Sequence, residues 1–282
     1  MARRLLVAAA SLLLALPAPA SALFVMPWLC LERCGDSSAD IAAQLAQLAG
    51  PHRADFTAAS FELFNLGPNS TLIVNNLTSV SAQLAALGLQ THAMVSSYPY
   101  PPEFLTYMRS VFAAPKPFID ALVAAVLAAN ISAVNIDWEP TSGHGAPPLT
   151  KQDPVDYANF LDTLAGALHE HGILVSVDVA TWSRIWDLEL ISATRVDYVA
   201  NMETYVVNDT VWLQEFADSL ALIPREKLVV GLENHENLTD ASLKLRFDAM
   251  AAATPPIRNI GIWRAGVEPS WWSYLDAFAA GG

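Results

Sequence analysis

Asn135, Asp137 and Glu139 occupy every second position of the stretch Ala133–Glu139. Side chains alternate along a strand, so these three share one face while Val134, Ile136 and Trp138 share the other. At a rise of about 3.3 Å per residue, the α-carbons of Asp137 and Glu139 are roughly 6–7 Å apart. That spacing lets two carboxyls perturb each other's ionisation. A nearby like charge favours the protonated form, which is what a general acid requires. Buried acids are costly unless paired or used. An Asn-Asp-Glu row opposite a wholly apolar face therefore points to chemistry, the bland alternative being a polar strand end at a sheet rim.

Elements of alternating type surround this strand. Apolar runs with strand patterning occur at Leu23–Leu29, Ala54–Phe64, Gln90–Ser97, Ala133–Glu139, Ile173–Trp182, Val196–Tyr205, Leu228–Glu233 and Asn259–Arg264. Asn69–Asn76 reads as a short extra strand at the rim. Helical stretches separate the eight runs, among them Asp36–Ala49, Pro117–Ala129, Asp153–His171 and Thr239–Ala252. Eight strands alternating with helices predict an α/β fold, a single (β/α)8 barrel. A doubly wound open sheet is the other arrangement with this rhythm, but no Gly-rich phosphate loop follows any strand. In a barrel the reactive groups come from the C-terminal strand ends. Glu62, Glu139, Trp182, Tyr205, Glu233 and Trp263 all fall near such ends.

Val134-Asn-Ile-Asp-Trp-Glu139 resembles the catalytic strand of the family 18 glycoside hydrolases, the chitinase family, whose pattern is Asp-Gly-x-Asp-x-Asp-x-Glu. Without gaps Glu139 matches the proton-donating Glu, Asp137 the adjacent Asp, and Asn135 a position where most members have Asp. The di-N-acetylchitobiase branch also has Asn there. Ser132 and Ala133 replace the opening Asp-Gly. Ser176-Val-Asp-Val-Ala-Thr-Trp182, with Asp178, is similar to the fifth strand of that branch, and Gly261-Ile-Trp263 to the eighth strand, whose Trp floors the cleaved sugar.

The resemblance implies hydrolysis of β-linked N-acetylglucosamine oligosaccharides by substrate-assisted, retaining catalysis, an exception to the two-carboxylate scheme. Glu139 is then the acid and Asp137 orients the substrate's acetamido group. Asn135, Asp178, Trp182, Met202 and Trp263 are the candidate sugar contacts. The match departs at the sixth strand, where the family has Met-x-Tyr-Asp and this chain has Asn201-Met-Glu-Thr-Tyr205. Without a gap Thr204 takes the Tyr position. One inserted residue brings Tyr205 there, and strand parity then requires a bulge. Tyr205 is the favoured candidate.

Two other functions fit parts of the pattern. Trp138-Glu139-Pro140 also looks like the Asn-Glu-Pro acid/base of a large retaining glycosidase clan, with Glu233 as nucleophile at a carboxyl separation of about 5–5.5 Å; Trp138 stands where that clan has Asn. A sugar-binding barrel without turnover is the non-enzyme reading, since a fold does not fix a function. Lectin-like members of the chitinase family usually lose the Glu that this chain keeps.

The N-terminus reads as a segment to be removed. Arg3 and Arg4 precede the apolar run Leu5–Leu16, and Pro17-Ala-Pro-Ala-Ser-Ala22 follows. This is the pattern of a secretory signal peptide over residues 1–22, leaving 23–282 as one domain. The run is short for a membrane anchor. Its removal deletes two arginines and no acid, deepening the net charge from −13 to −15. Such a surface disfavours nucleic acid and anionic membranes and suits a neutral sugar.

Sequons at Asn69, Asn76, Asn130, Asn208 and Asn237 fit a glycoprotein that is secreted or held in a lysosomal or vacuolar lumen, and in such a compartment Cys30 and Cys34 are candidates for a local disulfide. No metal site and no cofactor motif is read: Glu233-Asn-His-Glu236 lacks the helical spacing of a metal motif. A monomer is expected.

Overall fold

The computed structural model describes residues 23–34, 37–142, 145–202, 206–234 and 238–281. In chain order the elements are β1 (Phe24–Leu29), α1 (Ser38–Leu48), β2 (Ala58–Gly67), β3 (Thr71–Val74), α2 (Thr78–Ala86), β4 (Gln90–Ser96), α3 (Phe104–Ala113), α4 (Pro115–Ala128) and β5 (Ala133–Asp137). The chain continues through α5 (Asp153–His169), β6 (Leu174–Val179), α6 (Leu188–Ser192), β7 (Tyr198–Asn201), α7 (Asp209–Leu222), β8 (Leu228–Glu233), α8 (Asp240–Ala252), β9 (Asn259–Trp263) and α9 (Trp272–Ala280). All strands except β3 pair in parallel, and β1 pairs with both β2 and β9, closing an eight-stranded (β/α)8 barrel. β3 is the rim strand expected near Asn69–Asn76. It runs antiparallel to β2, with Asn65 opposite Ile73.

Of the expected boundaries that move, two have a visible local cause. The second strand starts at Ala58 rather than Ala54, because Arg53–Asp55 forms a short 3₁₀ turn. Arg53 holds that turn, donating to Leu87 O at 2.6 Å and Phe56 O at 2.8 Å. The catalytic candidate strand ends at Asp137 rather than Glu139. The Glu139 N–H has left the ladder and donates to Ser97 Oγ at 3.2 Å.

Alternation divides the side chains as period two requires. Val134, Ile136, Val175, Val177, Ile260 and Ile262 point outward into the apolar layer under the helices. Phe24, Met26, Trp28, Ala58, Met94, Ala200 and Val229 fill the barrel interior. Gly261 on β9 makes room there, since a β-carbon would lie 2.3 Å from the Trp28 ring. One layer down, His92 bridges Ser176 Oγ and Gln90 Oε1, both at 3.1 Å, and burial lowers its pKa to about 3.

No single described helix is long and apolar enough to cross a bilayer. α3 and α4 pass such a test only as a pair bent by 98°, and their apolar residues Phe104, Met108, Phe118 and Leu122 are buried in the core.

Asp153 anchors the N-terminus of α5. It accepts from Arg109 Nε at 2.7 Å, Arg109 Nη2 at 2.8 Å, Thr150 N at 2.6 Å and Thr150 Oγ1 at 2.8 Å. Led by the Arg109 hydrogen bond, these contacts lower its pKa from 3.8 to about 2. A carboxylate whose folded pKa is depressed stabilises above its unfolded value and loses that contribution as pH falls through the folded one. The stability advantage of wild type over Asp153→Asn should therefore be full above pH 4 and shrink between pH 4 and 2, as read from urea midpoints. A pH-independent difference would show that Asp153 acts by shape rather than charge.

Candidate active site

The mouth of the barrel, at the C-terminal strand ends, gathers the acids around one amide. Asn135 is fully buried. Its Oδ1 accepts from Ser60 Oγ at 3.1 Å and from Trp28 Nε1 at 3.3 Å, and its Nδ2 donates to Ser176 Oγ at 3.0 Å and Asp178 Oδ1 at 2.9 Å. β1, β2, β5 and β6 thus meet at a single side chain. An amide, which both donates and accepts, suits a place with an indole N–H on one side and a carboxylate on the other.

Above Asn135 stand Asp137 and Glu139, with Asp178 across from them. Asp137 is 3% exposed, and its Oδ1 has no hydrogen-bond partner among the described residues. Burial raises its pKa well above the ordinary carboxylate value, and Glu139 and Asp178 add to the rise by charge repulsion. Asp178 is raised to about 8, chiefly by burial and against its hydrogen bond from Asn135. Glu139 is raised too, again by burial first. The like-charge effect expected to protonate Glu139 falls instead on Asp137, whose hydrogen bond to Glu139 favours the ionised Glu139. Both carboxyls of the pair are thus raised, Asp137 the further of the two.

Two hollows meet at Glu139. A tight cavity with free space of about 20 Å³ is lined by Trp28, Asp137, Asp178, Met202 and Trp263 together with Glu139 and Arg33. A wider groove of about 670 Å³ runs outward past Tyr100, Pro140, Pro147, Trp182 and Arg184. Trp182 is 53% exposed at the groove edge and meets Trp186 edge-on at 5.6 Å. Of the sequence candidates, Asn135, Asp137, Glu139, Asp178, Met202 and Trp263 converge at the cavity, and Trp182 stands apart in the groove. Tyr205 lies outside the described residues. Glu233 is buried at the end of β8 and lines neither hollow.

Three residues of this site are not apparent from sequence spacing. Trp28 is the register partner of Trp263 on β9 and of Ser60 on β2, but nothing local marks it as an Asn135 partner. Tyr100, in the aromatic loop after β4, donates from its hydroxyl to Glu139 Oε1 at 3.3 Å. Arg33 hydrogen-bonds the Tyr100 hydroxyl, and its guanidinium lies 4.7 Å from the Trp263 ring centre and 5.3 Å from that of Tyr100. The Trp263 face expected as an open sugar floor is thus covered by a cation.

The loops carrying these residues are tied down. Cys30 and Cys34 are disulfide-bonded around Arg33. Glu62 Oε2 accepts from Leu31 N at 2.9 Å. Asn65 Nδ2 donates to Glu32 Oε1 at 2.6 Å and to Tyr98 O at 2.9 Å, joining the loop after β1 to the loop after β4.

Away from this mouth, one described cluster offers three ligand atoms to a cation, His52, Asp55 and Asp276. His52 Nδ1 is 3.1 Å from Asp276 Oδ1 and 3.3 Å from Asp55 Oδ2, an ion-pair arrangement needing no metal. Among the sequons, Asn69, Asn76 and Asn208 are exposed. Asn130, just before β5, is exposed as well. Asn208 also caps α7, accepting from Thr210 N and Val211 N. Asn237 lies outside the described residues.

No protein-family model and no curated protein sequence matches the chain. Solved structures do match its fold. A chitinase from Chromobacterium violaceum superposes with a TM-score of 0.72 at 14% identity, over 93% of this chain and 100% of that one. The spore cortex-lytic enzyme SleL of Bacillus cereus gives 0.72 at 13%, over 90% of this chain and 74% of that one. The Group IV chitinase of Ostrinia furnacalis, in complex with allosamidin, gives 0.67 at 13%, over 92% and 99%. At these identities the likeness shows the fold: the chain is built on the same (β/α)8 barrel as these chitinases.

Proposed function

We propose that this protein is a glycoside hydrolase acting on β-linked N-acetylglucosamine oligosaccharides, of chitin or of the chitobiose core of glycans. The observation that carries the reading is the placement of Glu139 where cavity and groove meet, with Asp137 beside it inside the cavity. A sugar bound across this junction brings the glycosidic oxygen past Glu139. The barrel shared with chitinases and with a cortex-lytic enzyme supports the same substrate class.

The proposed chemistry is substrate-assisted. Glu139 gives its proton to the glycosidic oxygen as the bond to the anomeric carbon breaks. The substrate's acetamido oxygen attacks that carbon from the other side, giving an oxazolinium ion with retained charge balance. Asp137, kept in place by its neighbours, orients and stabilises the acetamido group. Glu139, now a carboxylate, takes a proton from the water that opens the oxazolinium ring. Tyr205 is the proposed acetamido-oxygen donor. Asn135 in place of Asp inclines the reading towards the chitobiase branch. The Cys30–Cys34 disulfide and the N-terminal pattern support a secreted or lysosomal location.

A second reading is a sugar-binding barrel without turnover. It is favoured by Arg33 on the Trp263 face and by a cavity with free space of about 20 Å³, room for little more than a water molecule and far below ordinary ligand pockets. A fluorogenic chitobioside tested beside the matching cellobioside separates the possibilities. Cleavage of the chitobioside alone is the expected result, because only it carries the acetamido nucleophile. Cleavage of the cellobioside would overturn substrate assistance and return Glu233 to consideration. No cleavage of either, with saturable binding of chitin oligomers, would establish the binding protein.

A further inference from the structure

The loop after β1 brings a cation to the acid from the opposite side of the mouth. Arg33 is the last residue of the three-residue span between the disulfide-bonded cysteines, next to Cys34. Guanidinium groups only donate hydrogen bonds. Arg33 donates to the Tyr100 oxygen, which leaves the phenol hydrogen for an acceptor, and Glu139 Oε1 is such an acceptor at 3.3 Å. The donor direction along Arg33, Tyr100 and Glu139 is then one-way. The side chains also hold their places by packing, since the guanidinium lies over both the Trp263 and Tyr100 rings.

We propose that Arg33 is a positioning residue for the acid step, fixing through Tyr100 the Oε1 atom of Glu139 as the accepting oxygen and leaving Oε2 to carry and deliver the proton. The inference deepens the glycosidase reading and rests on it for its kinetic consequence. No atom is transferred along the chain; its effect is on which carboxyl oxygen holds the proton before the glycosidic bond breaks. A carboxyl oxygen that already accepts a hydrogen bond is the carbonyl-like one, and the proton of the neutral acid sits on the other.

The charged and titratable groups facing Glu139 are few among the described residues. Arg33 and Tyr100 come from the loops after β1 and β4, Asp137 from β5 and Asp178 from β6. Glu62 of β2 and Glu32 lie behind them, facing Asp137 and Arg33. Burial raises Glu139, and Arg33, then the hydrogen bonds from Tyr100 and Asp137, oppose the rise. Loss of Arg33 or Tyr100 should therefore shift the alkaline limb of the pH profile upward, because the acid stays protonated to higher pH.

The test is kcat and KM for the chitobioside across pH in wild type, Arg33→Gln, Arg33→Lys, Tyr100→Phe and the double variant Arg33→Gln/Tyr100→Phe. Arg33→Gln should lower kcat by about tenfold, a part of the range for general acid catalysis, with KM changed less. Its alkaline limb should move up by roughly one unit. Tyr100→Phe should do the same, and the double variant should fall no further than either single one, because the residues act in series. Arg33→Lys, which keeps charge and donor, should restore the limb.

A limb unmoved in Arg33→Gln, or losses that multiply in the double variant, would overturn the inference. An infrared titration of the protonated Glu139 carbonyl band, assigned as the band lost in Glu139→Gln, reads the same shift without turnover. If wild type cleaves no glycoside, the glycosidase reading fails, while a shifted band in Arg33→Gln still upholds the link from Arg33 to Glu139 and an unshifted one removes it.

Discussion

Glu139→Gln should lower kcat/KM for the chitobioside by at least 10²-fold, within the 10²–10⁴ range for loss of a general acid, while the urea midpoint stays within experimental scatter. The amide keeps the shape of the side chain and can still accept from Tyr100, but it carries no acid proton. Glu139 is the side chain common to both hollows, so no other described carboxyl can reach a glycosidic oxygen lying across them. Asp137 is deeper and almost wholly buried, hydrogen-bonded to Glu139 rather than open to the groove.

The same variant also tests the electrostatics. With Glu139 neutral at all pH values, the charge repulsion it exerts on Asp137 and Asp178 is gone. Both should then ionise at lower pH than in wild type, a shift visible in the carboxylate bands of an infrared titration. Activity within tenfold of wild type would remove Glu139 from the acid role and leave the site as a binding pocket.

The parts of this site that could be read from the chain are those fixed by period-two alternation within one strand. Asn135, Asp137 and Glu139 share a face for that reason, and Ser176 and Asp178 meet them from the neighbouring strand because parallel pairing sets Asn135 beside Ser176. The barrel itself was legible from eight such runs. What escaped depends on contacts between loops far apart in sequence. Arg33 and Tyr100 touch across a separation of 67 residues, and no periodicity relates them. Tyr100 is one of two tyrosines in the proline-rich stretch Tyr98–Pro102, a composition equally consistent with loop packing. The covering of Trp263 follows from the disulfide-closed loop turning back over β9, a feature no property of Gly261-Ile-Trp263 encodes. Just beyond β7, Met202 lines the cavity.

Trp138→Ala should cost about 3–5 kcal/mol of stability, the range for removing a large buried aromatic, even though the residue touches no part of the cavity. Trp138 is fully buried on the outer face of β5. Its ring stacks on Phe160 with centroids 4.9 Å apart and planes 9° from parallel, and on Tyr157 at 5.9 Å and 16°. Phe118 and Phe104 meet it edge-on at 5.8 and 6.4 Å. These four rings come from α3, α4 and α5, so one indole joins three helices to the strand that carries the acids. Its backbone lies between Asp137 and Glu139, beyond the last ladder residue of β5, where packing rather than sheet hydrogen bonding must hold the chain. The loss should therefore appear twice: as a lowered urea midpoint, and as a fall in kcat larger than that of a core variant of equal cost placed far from β5, because small displacements of reacting groups are expensive. Trp138→Phe, which keeps a ring in the stack, should recover most of both. If Trp138→Ala lowers stability as expected but leaves kcat untouched, the position of Glu139 is set by Ser97 and Tyr100 from the β4 side, and the aromatic stack serves the fold alone.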